Sequence, residues 1–190
     1  MQFSESDLTF TFPTGWIVRR FDGTAAYRSV SGHGLKGVDF LCLPPGNELW
    51  LVEVKNYHRR HRDYPGRRRN PDGLAEQVGR KFSDSKRLIR VILRSMRRKW
   101  YLRMVFSWYG LHPRPRPKSH HWFWYEAERR LSDARRVRCV LWLESPQANP
   151  DYLLATRTAL EGQLEPGNVL HLQGGRSPES FPIRLFAGGG

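Results

Sequence analysis

Gly37-Val38-Asp39-Phe40-Leu41-Cys42-Leu43, then Pro44-Pro45-Gly46-Asn47, then Glu48-Leu49-Trp50-Leu51-Val52-Glu53-Val54-Lys55 is the stretch that decides the fold. Two apolar runs flank a cluster of turn formers, which predicts strand, turn and strand. Pairing Leu43 with Leu49 leaves Pro44 to Glu48 as the loop, an ordinary hairpin length. In that register Asp39 falls opposite Glu53, and Lys55 falls opposite Gly37. Opposed residues point to the same face, so three charges gather in one place. A slip of one residue would disperse them.

Val38, Phe40, Cys42, Trp50, Val52 and Val54 make up one face of the hairpin. Leu41, Leu43, Leu49 and Leu51 share the other with the charges. Strands apolar on both faces belong in the middle of a sheet, covered on both sides. Two carboxylates facing each other there repel, and burying them uncompensated costs on the order of several kcal/mol. A divalent cation with an ammonium beside it offsets both penalties, and hard carboxylate oxygens suit Mg²⁺ or Mn²⁺. The residues alone leave a simpler arrangement open, in which Glu53 and Lys55 form an ion pair at a strand end and Asp39 is a surface acid.

Outward from the hairpin, residues 56–69 form a basic loop, and Asn70-Pro71 supplies a cap and a first-turn proline. Apolar positions from Leu74 to Met96 recur at helical spacing, predicting a helix from about Asp72 to Arg98 or beyond. Pro113, Pro115 and Pro117 impose an extended loop. Trp122–Tyr125 reads as a strand, Glu126–Arg136 as a short helix, Arg138–Glu144 as a strand, Pro150–Leu164 as a helix and Val169–Leu172 as a strand. Upstream, the runs Leu8–Phe12, Trp16–Phe21 and Ala25–Val30 read as strands or turns. The order is that of an α/β sandwich around a mixed sheet. One domain is expected over residues 1–190, with its core at about 25–172 and a loose tail from about 173.

The hairpin resembles the PD-(D/E)XK nucleases, a superfamily of restriction enzymes, junction resolvases and repair exonucleases. Gly37-Val38-Asp39, a short turn, and the apolar run ending in Glu53-Val54-Lys55 carry the resemblance, which spans roughly residues 25–100 and continues into the 138–144 strand. It implies a restriction-endonuclease-like core, a mixed sheet flanked by helices. It also implies that Asp39, Glu53 and the Val54 carbonyl bind Mg²⁺ or Mn²⁺. Lys55 would then orient the attacking water and stabilise the scissile phosphate. Many members add a polar residue from the next helix, for which Gln77 is the candidate, with Lys81 one turn on and Asp84 near it. Members often carry a further acid on a helix before the first strand; here only Glu5 offers itself, on a segment that reads poorly as a helix.

Charge points the same way. The chain carries 32 Lys and Arg against 18 Asp and Glu, a formal charge of +14, and attraction to a polyanion follows. Of those cations, 24 lie between Arg59 and Arg138 and most are arginine, which forks onto phosphate. Arg59, Arg60, Arg62, Arg67, Arg68 and Arg69 follow the catalytic strand and could clamp a backbone beside it. Lys81, Arg114, Arg116 and Lys118 are further contact candidates. Cys42 and Cys139 sit in apolar runs and read as buried thiols. No phosphate-binding loop, dinucleotide fingerprint or zinc-ligand spacing is present. No secretory leader or membrane span is legible, so a cytoplasmic protein without a membrane partner is expected.

The expected function is a metal-dependent nuclease acting on DNA in preference to RNA, suited to antiviral defence against foreign DNA or to repair and recombination. A non-catalytic basic nucleic-acid-binding module and an RNA-processing nuclease are the alternatives. A homodimer or an accessory protein stays open.

Overall fold

The computed structural model describes residues 1–30, 34–57, 70–144, 149–174 and 180–185. Five strands form the main sheet: β3 (Ile17–Arg20), β4 (Phe40–Leu43), β5 (Leu49–Asn56), β6 (Val137–Glu144) and β7 (Val169–Gln173), in that spatial order. β3, β4 and β5 are antiparallel neighbours, while β5, β6 and β7 run parallel. The parallel steps need crossovers, and helices supply them. α2 (Pro71–Arg97), α3 (Trp100–Leu111) and α4 (His120–Leu131) lie between β5 and β6; α5 (Pro150–Glu161) lies between β6 and β7.

The predicted hairpin register holds. Phe40 pairs with Val52, Leu41 with Leu51 and Cys42 with Trp50. Both faces are buried, as the apolar pattern requires. Leu41, Leu43, Leu49 and Leu51 pack with the helices, including Val78, Phe82, Ile89, Phe123 and Leu160. Phe40, Cys42, Trp50, Val52 and Val54 pack in a second cluster. Val38 departs from its assigned face: it precedes β4, where strand alternation no longer applies, and packs with the helices.

α2 begins where Asn70-Pro71 predicts, with the Asn70 side chain accepting a hydrogen bond from the Gly73 amide at 2.8 Å. Its buried positions, among them Leu74, Val78, Phe82, Leu88 and Ile92, trace one helical face.

The structure corrects four expectations. Ala25–Val30 is a helix, α1, because the Thr24 hydroxyl caps it by accepting from the Tyr27 amide at 3.1 Å. Trp122–Tyr125 is not a strand but the first half of α4, capped by Ser119. The buried set Trp122, Phe123, Trp124, Glu126, Ala127, Arg130 and Leu131 fits a helical face, which four consecutive aromatics disguise. The tail from about residue 173 is not wholly loose: Phe181 and Ile183 are buried, and β8 (Arg184–Leu185) pairs with β2 (Leu8–Thr11). Finally, helices line one face of the main sheet. A three-stranded antiparallel sheet, β1 (Gln2–Glu5), β2 (Leu8–Thr11) and β8, covers the other.

That small sheet belongs to the core. Ser6 and Asp7 turn the β1–β2 hairpin with φ of 52° and 62°, the left-handed geometry of a two-residue hairpin loop. Phe10 is fully buried, edge-on to Trp142 at 5.1 Å and to Phe40 at 6.2 Å. Among the described residues no helix is long and apolar enough to cross a membrane. Phe10→Ala is expected to destabilise the whole domain by about 3–5 kcal/mol. Urea unfolding followed by tryptophan fluorescence checks this; an unchanged midpoint would show that the small sheet folds apart from the core.

Candidate active site

Three pieces of chain meet at the end of β4 and β5: residues 34–39 leading into β4, the second half of β5, and the first three turns of α2. α2 pins the lead-in segment. Ser85 Oγ accepts from the Val38 amide at 2.9 Å while donating to the Lys81 carbonyl at 2.7 Å, and Asp84 Oδ2 accepts from the Lys36 amide at 3.2 Å. Gly37 permits the close approach, since a Cβ there would stand 2.7 Å from the Phe21 ring. On the other side, the Asp39 carbonyl accepts from the Phe21 amide at 2.9 Å.

Asp39 is thereby fixed next to β5. Its Oδ2 accepts from the Val54 amide at 2.7 Å, just beyond the last paired residues of the hairpin. Glu53 is fully buried, and two ammonium groups reach it. Lys81 Nζ donates to Oε1 at 2.7 Å and to Oε2 at 2.9 Å, and Lys55 Nζ lies 2.7 Å from Oε1. Lys81 also stands 3.8 Å from Asp39 Oδ1. One buried spot thus holds two carboxylates and two ammoniums.

The electrostatics follow from that crowding. Burial first, and then the charge of Glu53, push the Asp39 carboxyl up to about 7, against the pull of Lys81 and the Val54 amide. Glu5 adds to the upward push from the β1–β2 hairpin, although its own carboxylate is held by Arg20 at 2.8 Å. Burial acts to lower the Lys81 pKa, but the charges of Glu53 and Asp39 outweigh it and the net shift is upward.

The structure brings together Asp39, Glu53, Lys55 and Val54, the last through its amide. Lys81, expected on the nucleic-acid surface, instead holds both oxygens of Glu53. Gln77 makes no hydrogen bond among the described residues; with Lys81, Asp84 and Lys36 it lines a neighbouring cavity of about 310 Å³. Ser85 had gone unnoticed. Its position one turn after Lys81 on the same helix face was the available signal. Arg59, Arg60, Arg62, Arg67, Arg68 and Arg69 lie outside the described residues. Arg114 and Lys118 are exposed on the proline loop, away from this centre. Arg116 is spent on packing, its guanidinium 3.8 Å from the centre of the Trp108 ring.

The donor set fits a hard divalent ion that keeps part of its hydration. Asp39 and Glu53 would offer two oxygen donors on one face, and a carboxyl raised to about 7 is one that a cation would favour in its charged form. A closed, all-protein cage does not fit: among the described residues no three His, Cys, Asp or Glu side chains converge. Comparison with protein-family models, curated proteins and solved structures finds no match to this chain.

Asp39 gives a pH prediction. Its folded pKa, about 7, lies above the ordinary 3.8, so the folded state holds a proton that the unfolded chain releases. Its stabilising contribution is complete below about pH 4 and is lost as pH rises through about 7. In chelator, the melting temperature of the wild type should therefore fall relative to Asp39→Asn across that window and run parallel to it above. Parallel curves throughout would refute the raised pKa.

Proposed function

We propose that this protein is a metal-dependent nuclease that hydrolyses DNA phosphodiester bonds, with a restriction-endonuclease-like core of the PD-(D/E)XK kind. The observation that carries the proposal is the meeting of buried Glu53 with half-buried Asp39, Lys55 and Lys81 at the end of two central strands. The order of elements supports it: an antiparallel hairpin bearing the acids, a long helix, and a parallel strand on the far side of β5.

Asp39 and Glu53 would hold Mg²⁺ or Mn²⁺. When bound, that ion supplies Lewis acidity toward a phosphoryl oxygen and lowers the pKa of water. The chain supplies the rest. Lys55, at the rim with part of its side chain exposed, places positive charge where the scissile phosphate gains negative charge. Lys81 holds both oxygens of Glu53, and the Val54 amide holds Asp39, which keeps the two acids beside each other. The net charge of +14 favours a polyanionic substrate. Defence against foreign DNA, or repair and recombination, is the setting that suits such an enzyme.

The test is cleavage of supercoiled plasmid, single-stranded DNA and RNA in Mg²⁺, Mn²⁺ or EDTA. Wild type is compared with Glu53→Gln and Lys55→Ala, each checked for wild-type circular dichroism. Metal-dependent cutting of DNA that falls on the order of 10²–10³-fold or more in either variant is expected. Cutting that survives both substitutions removes the assignment. Binding without cutting on every substrate, in either metal, would favour a non-catalytic module.

A further inference from the structure

α2 turns Lys81 and Ser85 inward to the acid pair, and its outer face is different in kind. At about 100° per residue, Arg80, Arg87, Arg94 and Arg98 project within about 40° of a common line, with Arg90 and Arg97 flanking it. All six are exposed. From Arg80 to Arg98 the ridge runs about 27 Å at 1.5 Å per residue.

From Arg87 onward this ridge has few counter-charges, whereas Arg80 shares its cavity with Glu76 and Asp84. From Ser85 to Tyr125 the sequence contains no Asp or Glu. Among the described residues Arg97 is the only member of the six with a carboxylate within reach, Glu128 at 3.9 Å. Arg87 and Arg90, Arg90 and Arg94, and Arg94 and Arg98 are neighbours at helical spacing and repel one another. The helix dipole favours cations only in the last turn, so it accounts for Arg94 and Arg97 but not for Arg80 or Arg87. The ridge also starts at the site, since Arg80 lines the same cavity as Gln77 and Lys81.

We propose that the outer face of α2 is a backbone track for duplex DNA, holding the phosphates of about eight base pairs to one side of the scissile bond. That length is the ridge divided by the 3.4 Å rise of each strand's phosphates along the duplex axis, roughly. The proposal rests on the nuclease reading for its ligand, but not for its test. Guanidiniums suit the role because they bind phosphate in a fork without reading sequence.

The test uses the full chain in EDTA, so that binding is separated from cutting. Fluorescent duplexes of increasing length are titrated at several salt concentrations against wild type, the ridge variant Arg87→Ala/Arg94→Ala/Arg98→Ala, and an off-ridge variant Arg28→Ala/Arg135→Ala/Arg157→Ala. Melting temperatures establish that all three fold. The ridge variant should lose about three units of the slope of log affinity against log salt, close to 0.9 per phosphate contact. Its affinity should stop improving at a duplex about eight base pairs shorter than the wild type needs, roughly the ridge length. The off-ridge variant should follow the wild type. If both variants lose slope equally, or the ridge variant loses none, the track is overturned while the nuclease reading stands. If wild type ignores duplex DNA but binds phosphatidylserine vesicles, the track is overturned in favour of a membrane surface. If the ridge variant behaves as expected yet no metal elicits cutting, the track stands and the catalytic reading falls.

Discussion

A carboxylate with no access to water, gripped by two ammonium groups, is the constraint around which this structure is arranged. Glu53 is fully buried on the central strand β5, and an isolated charge in that position is strongly unfavourable. Lys55 reaches it from the same strand and Lys81 from α2. Meeting that demand fixes where α2 crosses the sheet. Its position in turn fixes the 34–39 segment through Ser85 and Asp84, and that segment delivers Asp39. The centre and the packing of the longest helix are one problem with one solution.

Much of this was legible in the sequence because the hairpin carries redundant information. Four turn-prone residues, two doubly apolar strands and the acids Asp39 and Glu53 all agree on one register. Asn70-Pro71 and the spacing from Leu74 to Ile92 likewise fix α2. The N-terminal layer was not legible as a sheet. β1 is a polar edge strand, half exposed along its length, and β8 is two residues long and defined only by pairing with β2 across the length of the chain. Trp122–Tyr125 misled because aromatic residues favour strands when read four at a time, whereas the Ser119 cap and the later Ala127 and Leu131 decide for a helix. Within the site, the sequence offers Lys81 both as a helper beside Gln77 and as a nucleic-acid contact, and its direct hold on Glu53 is not legible. Only its rotation on α2 turns it inward, and that depends on the tertiary packing of Val78 and Phe82.

The basic composition divides into cations that build the protein and cations that remain free. Arg130 bonds Glu126 and the carbonyls of Pro44 and Glu48, latching the hairpin turn to α4. Arg138 holds Glu48, and Lys86, buried on α2, holds Glu165 and Asn168. These contacts engage Glu126, Glu48 and Glu165. Among the described residues, cations without a partner acid gather along the outer face of α2 and the proline loop.

α2 also imposes a rule on how this chain can change over evolutionary time. Substitutions on its surface leave the geometry intact, but a single inserted or deleted residue between Asn70 and Lys81 would rotate everything beyond it by about 100°. Lys81 would leave Glu53, Ser85 would leave the Val38 amide, and Phe82 would leave the core in one event. Lineages of this protein should therefore tolerate wide divergence in residue type along the helix while holding its length between cap and site constant, with length variation diverted to the connecting loops.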